Sequence, residues 1–220
     1  MKKFQCLAVL FDLDGVLVSS TAGVARQWRR WAEENAINPD ELLNIAHGRR
    51  TIEVVRAVAS HLDAEAEVMK LEKREAEDTA DMQVIRGAKE LVEALPPAAW
   101  AVVTSGTRYL ATSRLRHAGL PQPAVLVTAE DVEKGKPDPE PYLRAAERLH
   151  VAPDQCIVIE DAPAGIEAAH RGSMKAIALP TTYAKAALSQ ADAIVSDLSR
   201  IRVEHGHGTL KLILEEFQQS

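Results

Sequence analysis

Hydrophobic positions come in two rhythms along this chain. Leu7-Ala8-Val9-Leu10-Phe11 is an unbroken apolar run, short enough for a strand buried on both faces. Runs of the same kind recur at Trp100–Val103, Ala124–Val127, Cys156–Ile159, Lys175–Leu179 and Ala193–Val195. Helical segments separate them. Ala88–Leu95 is stopped by Pro96-Pro97, another helix runs from Gly106 through His117 to Gly119, and Tyr142–Leu149 and Ala164–Arg171 follow. Strands alternating with helices of about ten residues predict an α/β protein with a doubly wound parallel sheet. Between Ser20 and Gln83 the period is helical throughout, with no strand signal. Ser19-Ser20-Thr21 offers N-cap chemistry, and Val24, Trp28, Trp31 and Ala32 then recur on one face, the tryptophans reading as packing residues. Asn35–Pro39 breaks that helix, Glu41–Ala46 is a short one ending at His47-Gly48, and Thr51–Leu62 and the polar Asp63–Thr79 complete the set. The expected organisation is a core of residues 1–17 and 86–220 with an all-helical domain, 18–85, inserted after the first strand. The tail, Ile201–Glu204 and Thr209–Phe217 around His205-Gly206-His207-Gly208, suits a hairpin or a final helix; the hairpin is preferred.

Length and charge narrow the picture. At 220 residues there is room for one sizeable core, or a core with a smaller insertion. A balance of 26 basic to 32 acidic residues gives a net charge of −6, which leaves no electrostatic footprint for nucleic acid or an anionic membrane. A small anionic substrate would need a local positive focus. Cys6 and Cys156 lie in or beside apolar strand-like runs and read as buried, reduced thiols. Met-Lys-Lys-Phe leads straight into the first strand without a signal-peptide core, and no apolar run approaches membrane length. The expectation is a soluble cytoplasmic protein.

Candidate chemistry gathers at strand ends. Asp12 and Asp14 follow the first strand, and residues two apart in an extended segment point the same way. Gly15 lets the backbone turn beside them. The second strand ends in Thr104-Ser105-Gly106 and the fourth in Glu160-Asp161, while Lys136 comes from the loop after the third. Taken singly, each also fits helix capping or a solvated loop. Their shared place at the carboxyl ends of parallel strands is where open α/β sheets bind ligands. Carboxylates packed this closely cannot all ionise without a cation, and oxygen ligands alone select a hard ion such as Mg²⁺. With a lysine, a hydroxyl and the N–H groups of a helix start, the set forms a phosphate site. One carboxylate could attack phosphorus while its neighbour moves the proton, which is phosphoryl transfer through an aspartyl phosphate.

The segments FDLDGVLV, VVTSGT, GKPDPEPY and IEDAPAGIEAA, in that order, resemble the four motifs of the haloacid-dehalogenase-like hydrolase superfamily. The likeness covers essentially the whole chain, and the helical insertion matches members with a small helical cap over a Rossmann-like core. HGRRT, RQWRRWA and VVTSGTRY further resemble sugar-phosphate and polyol-phosphate phosphatases of the glycerol-phosphate and deoxyglucose-phosphate types. The resemblance implies Asp12 as nucleophile and metal ligand, and Asp14 as general acid/base with its backbone carbonyl on the metal. It implies Asp161 as a direct Mg²⁺ ligand and Glu160 as a support for the metal's waters, with Thr104, Ser105, Gly106 and Lys136 on the phosphoryl oxygens. Ser19 departs from the pattern, which commonly has Asp there, and this leaves the tilt of the first cap helix open. His47, Arg49 and Arg50 lie in a turn between cap helices, the expected place to read the leaving group, and Arg50 fits the HGxRT pattern. The implied activity is Mg²⁺-dependent hydrolysis of a small sugar or polyol phosphate. The alternative is a phosphosugar mutase of the beta-phosphoglucomutase type, using the same aspartyl phosphate. The expected partner is a small phosphorylated metabolite, with neither nucleic acid nor membrane, for a monomer or weak homodimer. Asp14 and Glu160-Asp161 speak against a dehalogenase. The lack of lysine in Ala46–Ile52 speaks against phosphonoacetaldehyde hydrolysis. Intact Asp12, Asp14 and Lys136 speak against an inactive regulatory relative.

Overall fold

The computed structural model describes residues 1–46, 49–206 and 208–215. The chain opens with β1 (Lys2–Cys6), which Leu7 separates from β2 (Ala8–Phe11). After β3 (Val18–Ser19) come four helices, α1 (Thr21–Glu34), α2 (Pro39–Ala46), α3 (Thr51–Val58) and α4 (Ala64–Glu77), and then β4 (Gln83–Val84). The alternating part runs α5 (Ala88–Glu93), β5 (Trp100–Val103), α6 (Arg108–His117), β6 (Val125–Val127), α7 (Glu140–Leu149), β7 (Cys156–Glu160), α8 (Pro163–Arg171), β8 (Lys175–Ala178) and β9 (Ala193–Ile194). The hairpin β10 (Ile201–His205) and β11 (Leu210–Leu214) closes it.

Six strands form one sheet in the order β6-β5-β2-β7-β8-β9, every pairing parallel. Its apolar runs are buried on both faces, and the period of two assigns each residue to a side. Val9, Phe11, Val102, Ile157, Ile159 and Ile177 point to one face, where Leu91, Leu115 and the three-stranded sheet cover them. Ala8, Leu10, Ala101, Val103, Val158, Ala176 and Ala178 point to the other, against Tyr142, Ala145 and Ala146 of α7 and Ile166 and Ala169 of α8. The small side chains on that second face let both helices approach closely.

The expected doubly wound sheet with a helical insertion is therefore present, and the tail is a hairpin. Two features differ from the sequence reading. The segment before Leu7 is a strand of its own, antiparallel to β11 in the order β1-β11-β10. Phe4 and Cys6 are buried while Lys3 and Gln5 are exposed, the alternation of a one-sided strand. The insertion is also flanked by an antiparallel ribbon that pairs Val18 with Val84 and Ser19 with Gln83. Two residues per strand are too few to register as a pattern.

The insertion has its own core. Trp28 and Trp31 meet edge to face at 5.6 Å, and Leu42, Val54, Val55 and Leu71 pack around them. The indole N–H of Trp31 donates to Glu67 Oε2 at 2.6 Å, satisfying the polar edge of a ring that is otherwise fully buried. Each such buried aliphatic side chain contributes about 1.5–3 kcal/mol to holding the helices together.

Candidate active site

Strand β2 sits between β5 and β7, where the sheet order reverses direction, and the carboxyl end of such a strand opens onto a crevice. Asp12 stands there, its N–H donating to Ile159 O at 3.0 Å. Lys136 reaches in from the loop before α7, buried to 4% exposure, and donates to Asp12 Oδ1 at 2.5 Å, Glu160 Oε1 at 2.8 Å and Val103 O at 3.2 Å. The ring of Tyr142 lies 4.9 Å from its ammonium, and the Tyr142 hydroxyl donates to Glu160 Oε1 at 2.7 Å. Burial would discharge Lys136, but Asp12 and Glu160 outweigh it and hold the amine charged.

Glu160 is held from both ends. Its second oxygen accepts the N–H groups of Asp161 at 2.9 Å and Ala162 at 3.0 Å. Burial pushes its carboxyl up, yet Lys136, Tyr142 and the Ala162 N–H together hold it below the usual range. With 1% exposure and both oxygens engaged, Glu160 anchors Lys136 at the wall of the cleft that also holds Asp12 and Asp161. Gly165 makes the room, since a Cβ there would stand 1.7 Å from Glu160 Oε1.

Asp12 and Asp161 carry the opposite burden. Burial raises Asp12 to about 7, with Lys136 working against it and Glu160 and Asp14 adding to it. Burial, Glu160 and Asp12 push Asp161 well above its ordinary value, against a hydrogen bond from Thr182. Gly15, at φ +83°, packs so tightly on Asp161 that a Cβ would lie 1.9 Å from Oδ2. Among the described residues no three His, Cys, Asp or Glu side chains form a ready-made metal cage. Magnesium does not require one, because it takes one or two carboxylates and completes its shell with waters and phosphate oxygens. Two buried carboxylates with an energetic deficit that a cation would relieve fit that ion.

Thr104, Ser105 and Gly106 follow β5 at the same edge and line the cleft with Asp12 and Lys136. Thr104 Oγ1 accepts the Gly106 N–H at 3.1 Å, which shapes the turn. Asp14 lines the cleft too, with both oxygens held. Ser20 donates to Oδ1 at 2.6 Å, and Arg114 Nη1 donates to Oδ2 at 2.7 Å. The Ser20 side chain makes no cap bond to α1, so the expected capping role gives way to this contact.

Of the expected leaving-group readers, Arg49 lines the cleft, and His47 lies outside the described residues. Arg50 does not face the cleft. Its Nη1 donates to the Glu133 carbonyl at 2.8 Å and reaches Glu53 at 3.4 Å, lying against Gly135 on the loop that carries Lys136. Thr51, Trp28 and Glu75 complete the far wall, so Trp28 serves the cleft as well as the cap core. The cleft measures about 720 Å³ including its open mouth.

The sequence reading missed Arg114, Glu75 and Thr182. Arg114 shares the buried face of α6 with Leu110, Ala111 and Leu115, and a charge at that spacing was the available signal. Thr181-Thr182 comes after Leu179-Pro180 beyond the end of β8, at the same edge as the other motifs, and Thr181 donates to Gly15 O at 2.5 Å.

A family profile described as haloacid dehalogenase-like hydrolase matches residues 9–179. Hexitol phosphatase A of Escherichia coli is 40% identical over 204 residues, covering 90% of this chain and 94% of that protein. 2-Deoxyglucose-6-phosphate phosphatase 1 of Saccharomyces cerevisiae is 35% identical over 229 residues, covering 92% of each. Among solved structures, beta-phosphoglucomutase from Clostridium difficile superposes with a TM-score of 0.76 at 21% identity, over 90% of this chain and 93% of that one, a likeness of fold.

Proposed function

This chain belongs to the haloacid dehalogenase-like hydrolase family, and we propose that it hydrolyses small sugar or polyol phosphates through a phosphoryl group carried on Asp12. The observation that carries this reading is the pairing of a buried Asp12–Lys136 contact with a second carboxyl, Asp14, two residues on in the same cleft. Asp12 Oδ attacks phosphorus and the bond to the leaving oxygen breaks, with Asp14 giving that oxygen a proton. Asp14 then takes a proton from the water that attacks the phosphoaspartate, releasing phosphate and restoring both carboxyls. Lys136, Thr104, Ser105 and the Gly106 region hold the non-bridging oxygens, in charge-assisted contacts that strengthen as charge develops. Asp12, Asp161 and, by the family resemblance, the Asp14 backbone carbonyl would hold a magnesium ion, which would supply charge neutralisation for the phosphoryl group.

Leaving-group chemistry is read by the cap side of the cleft. Arg49 and Thr51 offer donors and acceptors to hydroxyl groups, and Trp28 offers a flat apolar face. The names of the 35–40% identical relatives support a hexitol or sugar phosphate. The mutase reading has weaker support, because the likeness to beta-phosphoglucomutase is one of fold. Both described thiols are buried and free, which suits action in the reducing cytoplasm.

The test is phosphate release from a panel of hexitol, deoxyhexose and glycerol phosphates with Mg²⁺ and no bisphosphate activator. Steady release of inorganic phosphate from members of the panel is expected. Turnover that yields an isomeric sugar phosphate, and only with a bisphosphate present, overturns the reading in favour of a mutase.

A further inference from the structure

Arg114 is a core residue, 6% exposed, whose guanidinium reaches two carboxylates on opposite sides of the domain junction. Nη1 donates to Asp14 Oδ2 at 2.7 Å, and Nη2 donates to Glu75 Oε2 at 2.8 Å. Glu75 belongs to α4 of the cap and is itself buried. The guanidinium is a rigid planar fork, so fixing one end against Glu75 fixes the direction of the other. Ser20 holds the remaining Asp14 oxygen at 2.6 Å. We propose that Arg114 is a positioning residue that sets the orientation of the Asp14 carboxyl, and that Glu75 makes this orientation depend on the seating of the cap.

A purely structural bridge between cap and core is the competing explanation. Burying an ion pair is seldom a net gain in stability, and the cap has other ties to the core here. Glu72, one turn before Glu75, accepts the N–H and hydroxyl of Thr107 at the start of α6, and Arg50 reaches Glu133. Helix α4 thus lies along α6 with Glu72 on its beginning and Glu75 on Arg114. Displacing α4 removes one arm of the fork's support, and Asp14 loses its fixed direction at the same moment that the cleft opens.

The proposal rests on the phosphatase reading, and leaving-group dependence separates the two. kcat/KM reports events up to the first irreversible transfer, where an alkoxide needs a proton from Asp14 and p-nitrophenolate does not. In Arg114→Ala we expect kcat/KM for glycerol 1-phosphate to fall about a hundredfold, at least tenfold more than for p-nitrophenyl phosphate. In an Asp14→Asn background the same change should cost less than about threefold further, since groups acting as a unit are not additive. Equal losses on the two esters, or a full additional loss in the Asp14→Asn background, overturn the proposal, the second by showing that Arg114 binds substrate directly. Arg114→Met/Glu75→Gln removes both buried charges at once and gives the same ratio if Arg114→Ala does not fold. A wild-type enzyme that releases phosphate from neither ester overturns the phosphatase reading and this proposal with it.

Discussion

Lys136 is the residue on which the site's electrostatics turn. Its single charge faces Asp12 and Glu160 at once, and Asp161 adds a third buried carboxyl nearby. Glu160 is compensated by Lys136, Tyr142 and two backbone N–H groups, whereas Asp12, at about 7, and Asp161 are not. A cation favours the charged form of both, so its binding must expel protons, and affinity must rise as pH climbs through about 7. Calorimetry of Mg²⁺ binding at about pH 6, in two buffers of different ionisation enthalpy, should register net proton release; proton uptake would contradict this account. The division of labour between the acids gives a second expectation. Asp14→Asn should lower turnover by about a thousandfold yet keep Mg²⁺ affinity, because its proposed metal contact is the backbone carbonyl, while Asp161→Asn should lose affinity by tenfold or more. An equal loss in both variants would refute it. At this scale the sequence displayed the acids and the lysine through their place at strand ends, but not which acid each one faces. That Glu160 serves Lys136 depends on Gly165 and Tyr142, which come from α8 and α7 and meet it only in the folded chain.

Helices and loops decide how those residues are held. α8 packs its Gly165 against the Glu160 carboxylate, so Gly165→Ala forces a clash at 1.7 Å that the fully engaged side chain cannot evade. The expected cost is about 1–3 kcal/mol of stability, with activity lowered at least tenfold through Lys136. Thermal unfolding and steady-state rates check this, and unchanged values for both would refute it. The loop before α7 carries Lys136 and also receives Arg50 from the cap. Arg50→Ala should therefore lower kcat/KM for a sugar phosphate and for p-nitrophenyl phosphate alike, by about ten- to a hundredfold if one charged hydrogen bond is lost. Arg49→Ala should weaken the sugar phosphate more. A selective loss in Arg50→Ala would return Arg50 to leaving-group recognition. Long periodic elements were legible in advance because each buries a face of fixed period. β1 was hidden by its continuity with β2, and the β3–β4 ribbon by its two-residue strands.

In the proposed reading the sheet supplies phosphoryl chemistry and the cap supplies recognition, and contacts that differ in kind join the two. Glu72 on Thr107 and Arg50 on Glu133 seat the cap, while Glu75 on Arg114 tells Asp14 that the cap is seated. Such a junction was beyond the sequence, because its partners are separated by 39 residues between Glu75 and Arg114 and by 100 between Asp14 and Arg114. The claim beneath all of this is that Asp12 carries the phosphoryl group. The direct measurement is acid quench of the enzyme turning over a hexitol phosphate with Mg²⁺, borohydride reduction and peptide mass analysis. The account predicts that residue 12 appears as homoserine, the product of reducing a phosphoaspartate, and that Asp12→Asn shows neither turnover nor that product. Steady phosphate release by the wild type with residue 12 recovered unmodified, or an Asp12→Asn variant keeping a tenth of wild-type turnover, would contradict it.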